Sequence, residues 1–360
     1  MVVGLRSILT AAAAALAALS AGPAAAAAPE KVPIEAFADL PFIADPLLSP
    51  DAKHVAARVS ANGNEQLAIY TLPVDGATQP KIVPVGVQPR WFRWAGKDRL
   101  LIGYTTISLI TGDGFFAILP ATRLKRYELS SGSTIDLGKE RGLLGDDVIY
   151  SDPAGRYILL SAQATAGDSP AVQRVDLATG ASVEVQRKMR DIWNWFADAE
   201  GHVRGGIAYS GKGYSIYYRD DPRGELKKTA AGRLPADEAA VDSIRLLPGS
   251  RAGVIVTNAP TGRFAAYNYE LGAPEIGAPI FEHPEVDVSG VEVSADGKRI
   301  DGVYYEDDRP RVKWLAPEME QLQAKIDKTF PGKVNRIINR SDDGDSVLIW
   351  SGSAEDPGSY

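Results

Sequence analysis

The side chains that could carry out hydrolysis are few in this chain of 360 residues. A serine nucleophile needs a histidine base within reach and a carboxylate behind it, and the only histidines are His54, His202 and His283. In an α/β-hydrolase the serine also lies in a Gly-x-Ser-x-Gly turn. The nearest sequence, GYSIY at residues 213–217, lacks the second glycine and reads as a strand. We therefore predict no catalytic residue in this chain, and we expect each histidine to be structural or exposed.

The residue types also disfavour a metal site. The sequence has no cysteine, which excludes disulfides, thiol catalysis and cysteine-ligated metals. No two histidines are close in sequence, so carboxylates would have to supply most ligands of a zinc site. The acidic turns at residues 305–310 and 341–345 offer oxygen ligands for calcium, but they lack the length and regular spacing of an EF-hand loop. We predict neither a metal nor a cofactor.

A further candidate is the pair Arg309 and Arg311, which flank a proline and share one face of a strand. Guanidinium groups can hold the carboxylate of a peptide. They can also pair with the neighbouring Asp307 and Asp308, as exposed charges commonly do at little gain in stability. We favour the local ion pairs and keep a peptide contact by Arg309 and Arg311 as the alternative.

The first 27 residues have the composition of a secretory signal peptide. Arg6 precedes an apolar, alanine-rich stretch at residues 8–19, and small residues follow at 24–28. The apolar stretch is shorter than the roughly 20 residues of a membrane-spanning helix. We therefore expect cleavage and no membrane contact afterwards. The predicted location is the periplasm of a Gram-negative bacterium, with secretion from the cell as the alternative.

The overall composition restricts the class of protein. A hydrophobic content of 45% allows a large buried core, so disorder is not expected. The net charge is −7, and the charged residues are scattered in short mixed groups. Because the sequence contains no basic patch, we predict that nucleic acid is not a partner.

A repeated turn organises the rest of the chain. The clearest copies contain a serine, a turn with aspartate and usually glycine, a polar residue and then an apolar strand. These copies lie at residues 49–59, 151–162, 294–305 and 341–352, and weaker ones lie at 94–105, 196–209 and 246–258. Asp and Gly favour tight reversals, and β-branched and aromatic residues fit a pleated, buried surface. Seven hairpins are therefore predicted.

The spacing of these turns predicts the fold. Matched positions in successive turns are separated by 46, 56, 47, 50, 46 and 47 residues. Such a period suits four short strands with their turns, and its sevenfold repetition predicts an all-β fold, a seven-bladed β-propeller. We place the propeller at residues 48–360, with an extended lead-in at 28–47 and an incomplete last blade. A pair of β-sandwiches and a β-helix are the alternatives.

One short helix is expected near residues 316–330. Met319, Leu322, Ile326 and Phe330 recur there at helical spacing, after a proline suited to a first turn and before a Pro-Gly stop. We place this helix between the second and third strands of the sixth blade. It either covers the edge of the blade or docks another domain.

Two tryptophans are expected in the core. Trp193 and Trp195 are two residues apart in a predicted strand. Side chains at this spacing point to the same face of a strand. We therefore expect both to lie in the interior of the blade.

Three parts of the sequence resemble a known family. They are residues 37–59 (FADLPFIADPLLSPDAKHVAARV), residues 291–360 and the seven hairpins between them. They resemble bacterial exported peptidases of the prolyl oligopeptidase family, of the dipeptidyl and acylaminoacyl peptidase type. The resemblance covers only the propeller of that family. In the family, a sequence like DPGSY at residues 356–360 begins the closing half of the last blade, and an α/β-hydrolase domain with the Ser, Asp and His triad ordinarily follows.

The resemblance implies a non-catalytic propeller of a periplasmic serine peptidase. Such a propeller would gate the access of short peptides to an α/β-hydrolase domain missing from this chain. On this interpretation the chain is a fragment or an early-terminated form and is inactive alone. The alternative is a free-standing periplasmic propeller that acts as a protein-interaction scaffold, similar to the propeller of the Tol translocation system. Peptide preference and oligomeric state are left open.

Overall fold

The computed structural model describes residues 43–61, 64–74, 79–112, 115–138, 142–211, 213–233, 241–294, 297–353 and 355–360. The predicted signal peptide at residues 1–27 lies outside the described residues, as does the predicted lead-in up to residue 42. The last residues of that lead-in, from Ile43 onwards, belong to the first strand.

The described residues form strands and a single helix. The strands are β1 (Ile43–Leu48), β2 (His54–Ala61), β3 (Asn64–Thr71), β4 (Lys81–Ile82), β5 (Pro89–Trp94), β6 (Arg99–Gly112), β7 (Phe115–Glu128), β8 (Thr134–Leu137), β9 (Asp147–Ser151), β10 (Tyr157–Ala162), β11 (Ala171–Asp176), β12 (Ser182–Gln186), β13 (Ile192–Ala197), β14 (Val203–Ser210), β15 (Gly213–Tyr218), β16 (Lys227–Arg233), β17 (Val241–Leu246), β18 (Ala252–Thr257), β19 (Ala265–Glu270), β20 (Pro279–Phe281), β21 (Val288–Val293), β22 (Ile300–Glu306), β23 (Pro310–Trp314), β24 (Val334–Arg340) and β25 (Val347–Gly352). The helix is α1 (Pro317–Thr329). It is not long and apolar enough to cross a membrane, and the described part of the chain contains no other candidate span.

The strands pair in chain order into seven sheets within the described residues. Sheets 1 to 5 contain four strands each: β1–β4, β5–β8, β9–β12, β13–β16 and β17–β20. Sheet 6 contains β21–β23 and sheet 7 contains β24 and β25. Each strand pairs antiparallel with the next strand of its sheet, as hairpin connections require.

The seven predicted turns each lie between the first and second strands of a sheet. In sheet 1 the Ser49 Oγ accepts a hydrogen bond from the His54 N–H at 3.0 Å and donates one to Asp51 at 2.8 Å. In sheet 7 the Ser341 Oγ accepts from the Ser346 N–H at 3.0 Å. Both serines are buried. The repeated serine therefore satisfies a backbone donor that the turn would otherwise bury unpaired.

The core lies between the faces of neighbouring sheets. In β6, Leu100 and Ile102 pack against sheet 1, whereas Leu101 between them packs against Leu160 of sheet 3. Successive side chains of a strand point to opposite faces. Because sheet 2 is covered on both faces, its second strand is apolar in succession rather than in alternation.

Sheet 7 contacts sheet 1. The Asn339 side chain of β24 accepts a hydrogen bond from the Leu48 N–H at 3.0 Å and donates one to the Leu48 carbonyl at 2.9 Å. The Asp342 N–H donates to the Pro50 carbonyl at 2.8 Å. A series of antiparallel sheets whose last member meets the first is a β-propeller, so the all-β propeller prediction is confirmed. The blade number of seven stays a prediction, because sheet 7 has only two strands within the described residues.

The helix is where the spacing predicted it, but it follows the third strand of sheet 6 rather than the second. Its Met319 and Ile326 are buried in a cluster with Trp314 of sheet 6 and Ile337 of sheet 7. Phe330, the last residue of the predicted apolar stripe, is 41% exposed. Helix α1 therefore packs between the last two sheets.

The expectation that both tryptophans of β13 lie in the core is wrong for one of them. Trp195 is buried, and its Nε1 donates at 2.8 Å to the carbonyl of Pro170, which directly precedes β11 of sheet 3. Trp193 is 36% exposed. The pairing of β13 with β14 shifts register between Ile192 and Asn194. Such a bulge breaks the two-residue alternation, which is why the two tryptophans have different surroundings.

Candidate functional site

The first strands of sheets 2 to 6 border a common cavity of about 620 Å³. Its lining includes Arg93 of β5, Asp147 of β9, Asn194 of β13 and Arg245 of β17. In a propeller the first strand of each blade lies nearest the axis. The cavity is therefore the central channel of the ring, and we call it the channel below.

Both signs of charge face the channel. Water in the channel can reach the side chains of Asp147, Asp242 and Arg245, although protein atoms surround Asp147 and Arg245 on most sides; Arg93 is half-buried. The Arg93 Nη2 donates to the Val148 carbonyl of sheet 3 at 2.9 Å, which fixes its guanidinium across two sheets. Arg245 makes no hydrogen bond or ion pair with any residue that the structure describes. Its guanidinium donors are therefore free to bind a ligand.

The two arginines of the channel interact electrostatically. Burial lowers the pKa of Arg93, the nearby Asp147 opposes this shift, and Arg245 adds to it. Burial also lowers the pKa of Arg245, and Glu292 opposes that shift. A shift caused by a neighbouring like charge requires proximity. Both guanidinium groups border the channel, and the charge of each influences the other.

Asp147 is the acidic counterpart of these arginines. Burial raises the pKa of Asp147 to about 6, a hydrogen bond from Ser161 opposes the shift, and the charge of Asp146 adds to it. Asp147 therefore changes charge within the mildly acidic range, whereas ordinary aspartates titrate near pH 4. A channel with these groups can hold a carboxylate near Arg245 and an ammonium near Asp242.

The predicted pair Arg309 and Arg311 does not face the channel. The Arg311 guanidinium lies 2.6 Å from Asp307 and 2.7 Å from Asp308, and Arg309 lies 4.0 Å from Asp308. The favoured local ion pairs are therefore present. The two arginines border a separate cleft of about 770 Å³ between β23, α1 and β24. Contact with a peptide at that cleft stays a prediction.

The three histidines are far apart in the fold: His54 begins β2, His202 directly precedes β14, and His283 follows β20. The ring of His54 is 6.4 Å from that of Trp94, and His202 Nδ1 lies 3.4 Å from Asp198. His283 stacks on Tyr305 at 5.0 Å. Its Nδ1 accepts hydrogen bonds from two backbone N–H groups, each at 3.2 Å. Among the described residues, the structure brings together no group of three acidic or histidine residues that could hold a metal.

The sequence alone did not identify the channel residues. Arg93, Asp147 and Arg245 belong to first strands, which directly precede the repeated turns. Once the fold is a propeller, these strands line the axis, so a charged residue shortly before a repeated turn indicates a channel group.

Comparison with known proteins gives a likeness of structure only. No protein-family model matches the sequence, and no curated protein matches it. The β-propeller domain of the Trilobed protease from Pyrococcus furiosus has a TM-score of 0.50 at 12% identity, over 88% of this chain and 93% of that chain. A structure from a study of two prolyl endopeptidases has a TM-score of 0.50 at 12% identity, over 88% of this chain and 47% of that chain.

An acylaminoacyl peptidase in complex with Z-Gly-Gly-Phe-chloromethyl ketone also matches. Its TM-score is 0.43 at 14% identity, over 87% of this chain and 50% of that chain. The chain thus spans about half the length of this peptidase and of the prolyl endopeptidase. At these identities the likeness shows the fold and no more: the chain is a β-propeller whose structural neighbours are the propeller domains of peptidases.

Proposed function

We propose that this chain is the non-catalytic propeller of an exported serine peptidase, and that its channel admits short peptides to an α/β-hydrolase domain. The observation that carries the proposal is the channel itself, which is bordered by five sheets and carries unpaired charge. The likeness of fold to a protease propeller domain, at a TM-score of 0.50, supports it. The catalytic groups belong, on this proposal, to the hydrolase domain.

The size of the channel favours small ligands. Its volume of about 620 Å³ lies within the range of roughly 300–1,000 Å³ typical of small-molecule pockets. A few residues of an extended peptide fit such a space, and a folded domain does not. The channel would therefore select substrates by size.

The charges favour a peptide with free ends. Arg245 forms no hydrogen bond or ion pair with a described residue, and it can donate two parallel hydrogen bonds to a terminal carboxylate. Asp242 lies three residues earlier on β17 and also faces the channel, where it can accept from a terminal ammonium. Because protein atoms surround Arg245 on most sides, its interaction with a carboxylate is stronger than on an open surface.

Peptide binding tests the proposal. The purified chain is titrated with a short peptide in two forms, one with a free and one with an amidated C-terminus, and the dissociation constant is measured by calorimetry. We expect Arg245→Gln to weaken binding of the free-carboxylate peptide roughly 10- to 100-fold, because a charge-assisted hydrogen bond is lost. Binding of the amidated peptide should not change. Arg190→Gln is the control, because Arg190 is 94% exposed and lies outside the channel.

Three results would count against this function. One is peptide binding that Arg245→Gln and Arg190→Gln change equally. Another is hydrolysis of peptides by the purified chain alone, since catalysis is assigned to another domain. A chain that binds folded proteins but no short peptide would instead favour the interaction scaffold.

The proposed export has its own test. The gene is expressed with its natural N-terminus in a Gram-negative host, and the chain is sought in the osmotic-shock fraction and in the medium. We expect a periplasmic product whose N-terminal residue follows the predicted cleavage site near residue 27. An uncleaved chain in the cytoplasm would contradict the proposed location.

A further inference from the structure

One hairpin of sheet 2 is longer than its neighbours. Strands β6 and β7 have 14 residues each, and their pairing continues to Gly112 and Phe115. Pairing of β5 with β6 stops at Tyr104, and pairing of β7 with β8 stops at Leu124. Residues 105–112 and 115–121 therefore extend past the sheet as a two-stranded ribbon, which we call the arm.

The arm exposes large apolar side chains on one face. Ile107 is 73% exposed, Leu109 62%, Phe116 74% and Ile118 64%. Leu109 lies directly opposite Ile118 in the ladder, so their side chains share a face. Ile107 and Phe116 lie two residues from them along their strands and belong to the same face. Single exposed apolar residues are ordinary, but a contiguous apolar face indicates an interaction surface.

The arm is also an addition to the repeat. The step between the turns of sheets 2 and 3 is 56 residues, whereas the other steps are 46 to 50 residues. A two-stranded ribbon alone is at best marginally stable in water. The extra residues therefore add little to the core, and their apolar face has no partner among the described residues.

We propose that the arm is a dimerisation surface, in which its apolar face packs against the same face of a second copy of this chain about a two-fold axis. A two-fold contact brings one surface patch against itself, so an apolar face is complementary to its own copy. Residues 105–112 and 115–121 contain no ionisable side chain. Asp113, between the two ranges in sequence, is the only ionisable residue from 105 to 121, so the described part of the arm brings no like charges together between two copies with a net charge of −7 each.

The area of the face suits a small but specific interface. Its four large side chains are each more than 60% exposed, and the largest apolar patch on a typical monomer measures roughly 300–600 Å². A specific protein interface buries at least about 1,000 Å² in total, so two patches of that size packed face to face reach its lower limit. A second copy therefore covers the face with an area sufficient for a reversible dimer.

A lipid bilayer is the less suitable occupant. Beyond residue 104 the outer edges of both strands have no ladder partner among the described residues. Unpaired backbone N–H and C=O groups are costly in hydrocarbon, whereas water can bind them at the rim of a protein interface. The open edges therefore favour an aqueous protein contact over insertion.

Measuring the molar mass of the protein in solution as a function of its concentration tests whether the chain dimerises. The full chain is studied by sedimentation equilibrium, together with the double variant Leu109→Thr/Ile118→Thr. Threonine is β-branched and favours a strand, so the variant removes apolar surface and keeps the strand conformation. We expect a dimer for the parent chain and a monomer for the double variant. Val183→Thr is the matched control, because Val183 of β12 is 68% exposed outside the arm, and it should leave the dimer intact. Circular dichroism and thermal unfolding verify that the double variant remains folded.

Crosslinking tests which face is buried. The sequence has no cysteine, so a single cysteine can be introduced without background. Ile118→Cys should form an intermolecular disulfide under mild oxidation, and Val183→Cys should not. A monomeric parent chain at all concentrations would overturn the proposal. So would a dimer that survives Leu109→Thr/Ile118→Thr, or an arm that binds phosphatidylcholine vesicles while the chain stays monomeric.

Discussion

Arg340 and Asp301 form a buried ion pair that joins sheet 7 to sheet 6. The Arg340 Nη2 lies 2.8 Å from one carboxylate oxygen of Asp301, and the Arg299 Nε lies 2.7 Å from the other. Asp301 is fully buried. The Arg340 Nη1 also lies 3.0 Å from the Met319 Sδ of α1. One carboxylate thus connects β22, β24 and, through Arg340, the helix between the two sheets.

Substitution of Asp301 is therefore expected to be severe. Asp301→Asn removes the counter-charge of Arg340, whose side chain is only 15% exposed, and an unpaired buried charge costs about 3–5 kcal/mol. Asp308→Asn, at an exposed pair with Arg311, should cost less than about 1 kcal/mol. Urea unfolding of both variants measures the free energy of unfolding. Equal losses would show that Asp301 does not hold the last sheet in place.

The fold could be predicted because its signals are local. Each repeated turn is specified by contacts within about one hairpin, such as the hydrogen bond from the His54 N–H to the Ser49 Oγ. The apolar runs after the turns then predict strands that are covered on both faces, as in β10. Helix α1 was predictable for the same reason, since its apolar spacing, Pro317 and Pro331 all lie within one short stretch of sequence.

The candidate site could not be predicted in the same way. Arg93, Asp147 and Arg245 come from three sheets, and only the arrangement of the sheets around one axis brings them to the same cavity. The strand sequences do not show which side chains face that axis. The bulge in β13 is similarly invisible in sequence, because an extra residue changes the alternation without a distinctive residue type.

Substitutions of the two tryptophans of β13 test the contact between sheets 3 and 4, because Trp195 is buried at that contact and Trp193 is exposed. Trp195→Phe removes the buried hydrogen bond to the Pro170 carbonyl and leaves a space beside it. We expect a loss of about 1–3 kcal/mol in the free energy of unfolding. Trp193→Phe should change it by less than about 0.5 kcal/mol, as for other surface sites. Chemical denaturation measures both, and a larger loss for Trp193→Phe would contradict the assigned orientations.

The contact between the first and last sheets depends on the side chain of Asn339. Asn339→Ala removes both hydrogen bonds to the backbone of Leu48, and we expect a loss of about 1–3 kcal/mol. Asn268→Ala is the control, because the single side-chain hydrogen bond of Asn268, to the Ala278 carbonyl, is exposed and lies within sheet 5. Hydrogen exchange should also accelerate in β1 and β24 of the Asn339 variant. Unchanged exchange there would show that other contacts hold sheets 1 and 7 together.

Asp147 should make the stability of the protein depend on pH. Its folded-state pKa of about 6 lies above the ordinary value of 3.8 because burial disfavours the ionised carboxylate. The folded state therefore binds the proton more tightly than the unfolded state, and this group lowers the stability as the pH rises from about 4 to about 6. Asp147→Asn removes the ionisation but keeps an acceptor for Ser161. The stability of the variant relative to the parent should thus increase between pH 4 and pH 7.

Urea unfolding of the parent and of Asp147→Asn at both pH values measures that difference, and the comparison cancels the titration of all other carboxylates. Asp191→Asn, at an aspartate outside the channel whose side chain is 44% exposed, gives the baseline for loss of one negative charge. A difference between Asp147→Asn and the parent that stays constant from pH 4 to pH 7 would mean that Asp147 is solvated like an ordinary surface aspartate. The channel would then be open to bulk water, and its charges would bind peptide termini only weakly.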